Sequence, residues 1–295
     1  MQERPQFPQC KDCLISLAGS AAQAAVGDDA AQEAAVELAA KRILRQGMDQ
    51  GLRSPAIASR MLAEVRRLTG VDDPYADFKH QEMAQAKAVM DALGPDKIPG
   101  DLRGLVSLAA LGNSLDFFQD AHQALDGLQA KLGQGINYHR DDLAILEKFL
   151  ESAPKLVVFL CDNAGEIYFD LPLVDYLRSR SGRVVLVVKG GPAQNDLTKD
   201  DLRQSGLIDR VGELADTGAE SAGIDWEQAS PQFKWLVDSA DLIVAKGMAN
   251  YLSTLEQPLP CPGFFVFKLK CKPLRDLWDA PPDSFWAAWR EPDQA

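Results

Sequence analysis

The stretch "VVFLCDNAGEIYFD", residues 157–170, decides how this chain is read. A short, continuously apolar run from Val157 to Cys161 is cut off by Asp162 and Asn163, with Glu166 and Asp170 close behind. Runs of that length and composition read as strands buried on both faces, which is the signature of parallel sheets covered by helices. In an open parallel sheet, ligands bind outside the carboxyl ends of the strands. The oxygen-bearing side chains therefore stand where a site belongs. Asn163 followed three residues later by Glu166 also has the spacing of a capping box, so a helix start and a ligand site are both open readings of the pair.

Downstream the same pattern repeats. "KLVVFLC", "RVVLVVK", "DLIVAK" and "GFFVFKLK" read as strands, and "LIDRVGEL" as a further one. Between them "EIYFDLPLVDYLRSR", "LTKDDLRQSG" and "PQFKWLVDSA" read as helices, and 213–231 as a long loop. The alternation predicts an α/β fold with a mostly parallel sheet sandwiched by helices. Two more strand ends carry polar groups. One leads through "KGGPAQ" to Asn195 and Asp196, where Thr198 and Asp201 form another candidate capping box; the other gives Lys246, Gly247 and Asn250. Carboxylate and amide oxygens suit a hard divalent cation, and a lysine ammonium suits a phosphate. Singly, each is ordinary at a cap or on a surface; together they line one sheet edge.

Upstream, residues 10 to 150 carry helical periodicity, which predicts an all-helical N-terminal subdomain over 1–150 before an α/β subdomain over 151–295. In "DAAQEAAVELAAKRILRQG", Asp29 is the expected N-cap, Val36, Ala39, Ala40 and Ile43 the apolar stripe, and Gly47 the stop. In "SPAIASRMLAEVRRLTG", Ser54 caps, Ile57, Met61, Val65 and Leu68 share a face, and Gly70 closes. Met48, Met61 and Met90 read as core filling. His80, His122 and His139 are scattered without metal spacing and read as surface or packing residues. Trp278, Trp286 and Trp289 crowd a C-terminal segment that packs on the body or on another subunit.

The 31 basic and 43 acidic residues give a net charge of -12, which argues against a nucleic-acid partner. No stretch approaches the ~20 apolar residues of a membrane span, and the first residues lack the order of a signal peptide; a cytoplasmic location is expected. The five cysteines have no disulfide-framework spacing. Cys10 and Cys13 in "CKDC" have a spacing that serves zinc or redox chemistry, but a zinc site wants four ligands and no second pair follows.

Several motifs, in this order, resemble the metal-dependent damage-control phosphatase family, formerly catalogued only as a domain of unknown function: "CKDC" (10–13), "TGVDDPYADFK" (69–79), "LGNSLDFF" (111–118), "CDNAGEIYFD" (161–170), "NDLTKDD" (195–201), "ADLIVAKGMANYLSTLE" (240–256) and "LKCKPLRD" (269–276). The leading Cys-x-x-Cys is similar to the microbial branch. The resemblance implies one divalent ion (manganese, magnesium, nickel or cobalt) held by Asp162, Asn163 and Asp196, with Lys246 on the phosphoryl group of a small phosphorylated metabolite. It further implies Asn113, Asp116 and Glu166 around the site. The chain departs from the family's usual K-G-Q-G-N loop, reading "KGMAN" with Met248 and Ala249, and reads "HQEMAQA" where an asparagine is common.

The expected reaction is hydrolysis of a phosphate monoester by metal-activated water, with Asp162, Lys246 and Glu166 as catalytic groups and Asn113, Asp116, Lys246, Gly247 and Asn250 binding substrate. A nucleophilic Asp162 is the rival mechanism, although the Asp-x-Asp it calls for is broken by Ala164. A non-catalytic metal- or metabolite-binding protein is an alternative. A carboxyl methyltransferase is another, and it lacks the glycine-rich turn that would cradle its cofactor.

Overall fold

The computed structural model describes residues 10–52, 54–113, 121–257 and 259–292, with backbone only at 121, 122 and 256. Three helices open the chain: α1 (Cys10–Val26), α2 (Ala30–Asp49) and α3 (Ser54–Thr69). They bury a core of their own around Leu14, Ala18, Val36, Ala40, Leu44, Ile57, Met61 and Val65. Asp29 caps α2 as expected, accepting from Gln32 N at 3.0 Å. Gly47 does not end that helix; it lies inside it, where a Cβ would meet Ile57 Cγ1 at 2.6 Å, so its role is close packing. Gly70 does follow α3 with φ +70°. Met48 and Leu68, expected in the core, are exposed: the last side chains that α2 and α3 give to the three-helix core are Leu44 and Val65.

Helices α4 (Ala76–Leu93), α5 (Leu102–Gly112), α6 (Ala121–Gln134) and α7 (Leu143–Leu150) follow. Between the last two lies β1 (Tyr138–Asp141), a strand within the segment read as all helical. The remainder alternates: β2 (Leu156–Leu160), α8 (Ile167–Arg180), β3 (Arg183–Val188), α9 (Lys199–Gln204), β4 (Leu214–Asp216), α10 (Pro231–Asp238), β5 (Leu242–Lys246), α11 (Met248–Glu256), β6 (Gly263–Lys268), α12 (Lys272–Leu277) and β7 (Phe285–Arg290). The expected strands in "KLVVFLC", "RVVLVVK", "DLIVAK" and "GFFVFKLK" are present, but "LIDRVGEL" is irregular except at its last residue, and β4 falls instead at the start of the segment read as a long loop. Thr198 with Asp201 forms the reciprocal capping box that opens α9.

The seven strands order as β1-β7-β6-β5-β2-β3-β4. β2 to β6 run parallel, whereas β7 is antiparallel to β6 and β1 runs parallel to β7. "FWAAWR" thus completes the sheet: Trp286 and Trp289 are buried on opposite faces, in keeping with the two-residue period of a strand. One face packs on α4 to α8 in a core running from Met83 through Phe159 to Trp289. The other packs on α10 to α12 around Val158, Phe233, Tyr251, Phe265 and Phe267. From β2 the chain turns to one side through β3 and β4, and later fills the other side through β5 and β6. The topological switch point therefore lies between β2 and β5, where a parallel sheet opens a crevice. Among the described residues, no helix is long and apolar enough to cross a membrane.

Candidate active site

The crevice at that switch point is where Asp162 and Gly247 meet. Asp162 follows β2 and Gly247 follows β5, and a Cβ on Gly247 would lie 2.1 Å from Asp162 Cγ and 2.2–2.3 Å from its carboxylate oxygens. Gly247 also has φ +83° and ψ 151°, a conformation confined in practice to glycine. The glycine is needed here because the carboxylate rests on its bare α-carbon.

Asp196 is brought to the same place by backbone pairing. Asn163 and Asp196 form an isolated antiparallel bridge, with Ala164 N donating to Asn195 O and Leu197 N to Asp162 O, both at 2.8 Å. Asp162 and Asn163 thus share one backbone junction with Asp196, more than thirty residues further along the sequence. The Asn163 side chain makes no cap contact at the turn it precedes; its Nδ2 donates to Glu166 Oε1 at 2.7 Å. The capping-box reading of this pair is therefore not what the structure shows. Asn113, at the end of α5, donates from Nδ2 to Asp162 Oδ2 at 3.2 Å and to Glu166, and accepts from Lys268 N at 3.2 Å. It is a brace joining the ends of β2 and β6 to the start of α8. Asp116 lies outside the described residues.

Lys246 is placed differently from expectation. On β5 it shares a face with Leu242 and Val244, and points under α5 and α8 rather than toward the crevice mouth. Its ammonium is 0% exposed and donates to Ala109 O at 2.9 Å, Glu166 Oε2 at 2.8 Å and Asp170 Oδ1 at 2.6 Å. An ammonium has three donors, and all three are engaged. Burial alone would lower its pKa, but Asp170 and Glu166 outweigh that and hold it protonated. As it stands, Lys246 locks Glu166 at the N-cap of α8 and Asp170 within that helix, and has no donor left over. Asn250 is likewise buried, donating to Cys161 O at 3.1 Å and Lys246 O at 2.7 Å and accepting from Lys189 at 3.2 Å, which makes it a strut beneath the site.

Three groups went unremarked in the sequence. Lys189, at the end of β3, is buried, with Nζ on Gly223 O at 2.7 Å and 3.4 Å from Asp196 Oδ2. Glu82 on α4 is buried beside Gly165 and Asn195, and burial followed by repulsion from Glu166 pushes it up to about 7. Lys270, just after β6, is exposed, lies near enough to Glu82 to pull its pKa back, and has no ion-pair partner among the described residues. The strand-end rule covers Lys189; nothing local marks Glu82, which only the docking of α4 delivers.

The electrostatics say what the crevice lacks. Asp162, Glu166, Asp170, Asp196 and Glu82 are all buried, against Lys189 and Lys246; a third buried lysine, Lys79, also bears on Asp196 but is paired with Asp73 and the buried Asp201. Asp162 is pushed well above the ordinary carboxylate range by burial, then by the charges of Glu166 and Asp196. Asp196 is raised by burial, with Lys189 pulling it back, and its Oδ2 has the Lys189 ammonium at 3.4 Å but no contact of hydrogen-bond geometry. Surplus buried carboxylates, one with an oxygen so weakly engaged, are a hard-donor set short of positive charge, and they fit a divalent cation. Among the described residues, no group of three or more His, Cys, Asp or Glu side chains is clustered as a ready metal cage; the fitting set includes the amide of Asn163.

Comparison with known proteins bears on the family of the chain. The damage-control phosphatase ARMT1-like domain matches residues 6–284. The chain is similar to a damage-control phosphatase of Archaeoglobus fulgidus, 29% identical over 279 residues that cover 92% of this chain and 94% of that one. It is similar to another of Pyrococcus horikoshii, 29% identical over 266 residues, 89% and 90% of the two chains. The crystal structure of a DUF89 family protein from Pyrococcus horikoshii superposes with a TM-score of 0.86 over 98% of this chain and 99% of that chain, at 24% identity, and so shares the fold. The chain belongs to the damage-control phosphatase ARMT1-like family.

Proposed function

We propose that the protein is a phosphatase that hydrolyses a small phosphorylated metabolite with the help of one divalent cation. The observation that carries this reading is the junction of Asp162, Asn163 and Asp196 on one sheet edge, overloaded with negative charge. Relatives named damage-control phosphatases along nearly the full chain support the reaction class. Asp162, Asn163 and Asp196 would hold the cation, which when bound supplies charge stabilisation to the phosphoryl group and acidifies a water.

The chain's own residues do the rest. Asn113 fixes the Asp162 carboxylate by its 3.2 Å hydrogen bond, and Lys189 steadies Asp196 from below. Glu166 is held by Asn113, Asn163 and Lys246, so it orients Asn163 rather than touching substrate. Lys270, exposed beside the crevice, replaces Lys246 as the cation offered to phosphoryl oxygens. Preorganised charges of this kind are the main lever on an inert phosphate ester.

The test is Asp162→Asn assayed on p-nitrophenyl phosphate with manganese or nickel. Wild type is expected to turn over with metal and to stop with chelator, while the variant stays folded and loses at least about a hundredfold in rate, the scale of one lost electrostatic group. A folded variant with wild-type turnover would refute the assignment.

A further inference from the structure

The two carboxylates proposed to hold the cation are not anchored alike. Asp162 directly follows β2, which is paired on both sides by β3 and β5, and it accepts from Asn113 at 3.2 Å. Asp196 lies in the irregular passage between β3 and α9, and its only ion-pair partner among the described residues is Lys189 at 3.4 Å. Backbone contacts fix that passage. Leu197 N donates to Asp162 O at 2.8 Å, Lys189 N donates to Leu197 O at 2.9 Å, and Thr198 bridges to Lys189. Thr198 is in turn the N-cap of α9, closed by Asp201.

The Asp201 carboxylate is held from outside the passage. It is buried, and its Oδ2 accepts from Thr198 N at 2.8 Å, from Thr198 Oγ1 at 2.6 Å and from Lys79 Nζ at 2.8 Å. Lys79 stands in the first turn of α4, is 0% exposed, and also meets Asp73 Oδ2 at 2.7 Å. Asp73 belongs to the corner between α3 and α4, where its Oδ1 accepts from Tyr75 N at 3.0 Å. The same corner reaches the front of the passage. Arg66, in the last turn of α3, donates to Pro192 O at 3.0 Å and pairs with Glu220. Asp196 therefore sits between two clamps, Pro192 before it and Asp201 after it, and both are applied by the α3–α4 corner.

We propose that Lys79 is a positioning residue for the cation site: acting through Asp201 and Thr198, it holds Asp196 where Asp162 and Asn163 can share an ion with it. The role rests on the reading of those three side chains as cation ligands. Hydrogen bonds between charged groups are roughly twice as strong as neutral ones, so the ammonium tightens the box that ends the passage. A ligand already held in place loses less freedom when the ion arrives, and affinity gains accordingly. On charge alone the expectation is the reverse. Lys79 is a cation near enough to favour the charged form of Asp196, and like charges repel, so it opposes a second cation there. Positioning and bare electrostatics thus predict opposite signs for its removal.

The experiment is the manganese affinity of the metal-free full chain, read from the paramagnetic resonance of the free ion at pH 8, where protons compete least for the carboxylates. Wild type is compared with Lys79→Met, with Thr198→Val, which removes no charge, and with Leu44→Ala, which damages only the separate three-helix core. In Lys79→Met the Kd is expected to rise about tenfold or more, the scale on which groups that orient a metal's ligands act. Thr198→Val is expected to raise it in the same direction, and it carries the test alone should Lys79→Met not fold. Leu44→Ala is expected to lower the melting temperature and leave the Kd unchanged. An unchanged or lower Kd in either site variant, or an equal rise in Leu44→Ala, overturns the proposal and leaves the cation site standing. A wild type that binds no manganese overturns the proposed function and this role together.

Discussion

Lys246→Met removes the ammonium while keeping a side chain of similar length. In the structure that ammonium is fully buried and engages Ala109 O, Glu166 and Asp170. The substitution leaves two carboxylates inside the protein without their countercharge, and breaking a buried ion pair on one side costs roughly 3–5 kcal/mol. Against a total stability of about 5–15 kcal/mol, the variant is expected to fold with a much smaller margin. At about 2–4 °C per kcal/mol for larger domains, the melting temperature falls on the order of 10 °C. The pH dependence has a definite sign. Without the lysine, the folded state holds protons on these acids more tightly than the unfolded chain does, so their folded pKa values lie above the unfolded ones. Stability is then retained at low pH and lost as pH rises, making the deficit small near about pH 5 and large near about pH 8. Circular-dichroism melts of metal-free wild type, Lys246→Met and Lys246→Met/Asp170→Asn at both pH values measure this, the double variant regaining part of the loss at the higher pH. Wild-type melting at both pH values, with only a raised KM, would refute the reasoning and return Lys246 to the substrate.

Two further outcomes follow from the same geometry. Gly247→Ala places a methyl group 2.1 Å from Asp162 Cγ in a backbone conformation that L residues avoid; the cost is about 2–5 kcal/mol from strain and overpacking together, and titration calorimetry with manganese should show weakened binding, with unchanged binding speaking against Asp162 as a ligand. In the metal-free protein, Asp162 and Asp196 have folded pKa values raised by burial, so their contribution favours folding at acid pH and is lost as pH climbs above the unfolded carboxylate value of about 4. The melting-temperature gain from a saturating divalent cation is therefore expected to be larger near pH 8 than near pH 5, and an equal gain at both would count against a cation neutralising these acids.

Strands β2, β3, β5 and β6 were legible because burial on both faces imposes an apolar run that needs no knowledge of the neighbours, and α8 to α10 because amphipathic spacing is equally local; β4, only three residues long, and α11 were not. Nor were β1 and β7. "YHRD" carries no apolar period, and it becomes a strand only because β7 offers it an edge; "FWAAWR" sits among prolines and aspartates that read as a tail. The junction of Asp162, Asn163 and Asp196 was foreseeable as a shared sheet edge, although the family resemblance was what singled out those three. That their backbones pair directly came from the fold.

Lys246 marks the boundary between the two kinds of knowledge. Local sequence determined that it ends an apolar strand and shares a side with Leu242 and Val244, since side chains alternate along a strand. Which side carries α5 and α8, with Glu166 and Asp170 waiting to engage the ammonium, was decided by packing between segments some eighty to one hundred and forty residues apart. Glu82 follows the same rule: it lies in an unremarkable local pattern and acquires Gly165 and Asn195 as neighbours only when α4 closes on them. Strand and helix periodicity is a short-range consequence of burial, whereas the charge balance of a buried site is a sum over whatever the completed fold brings together.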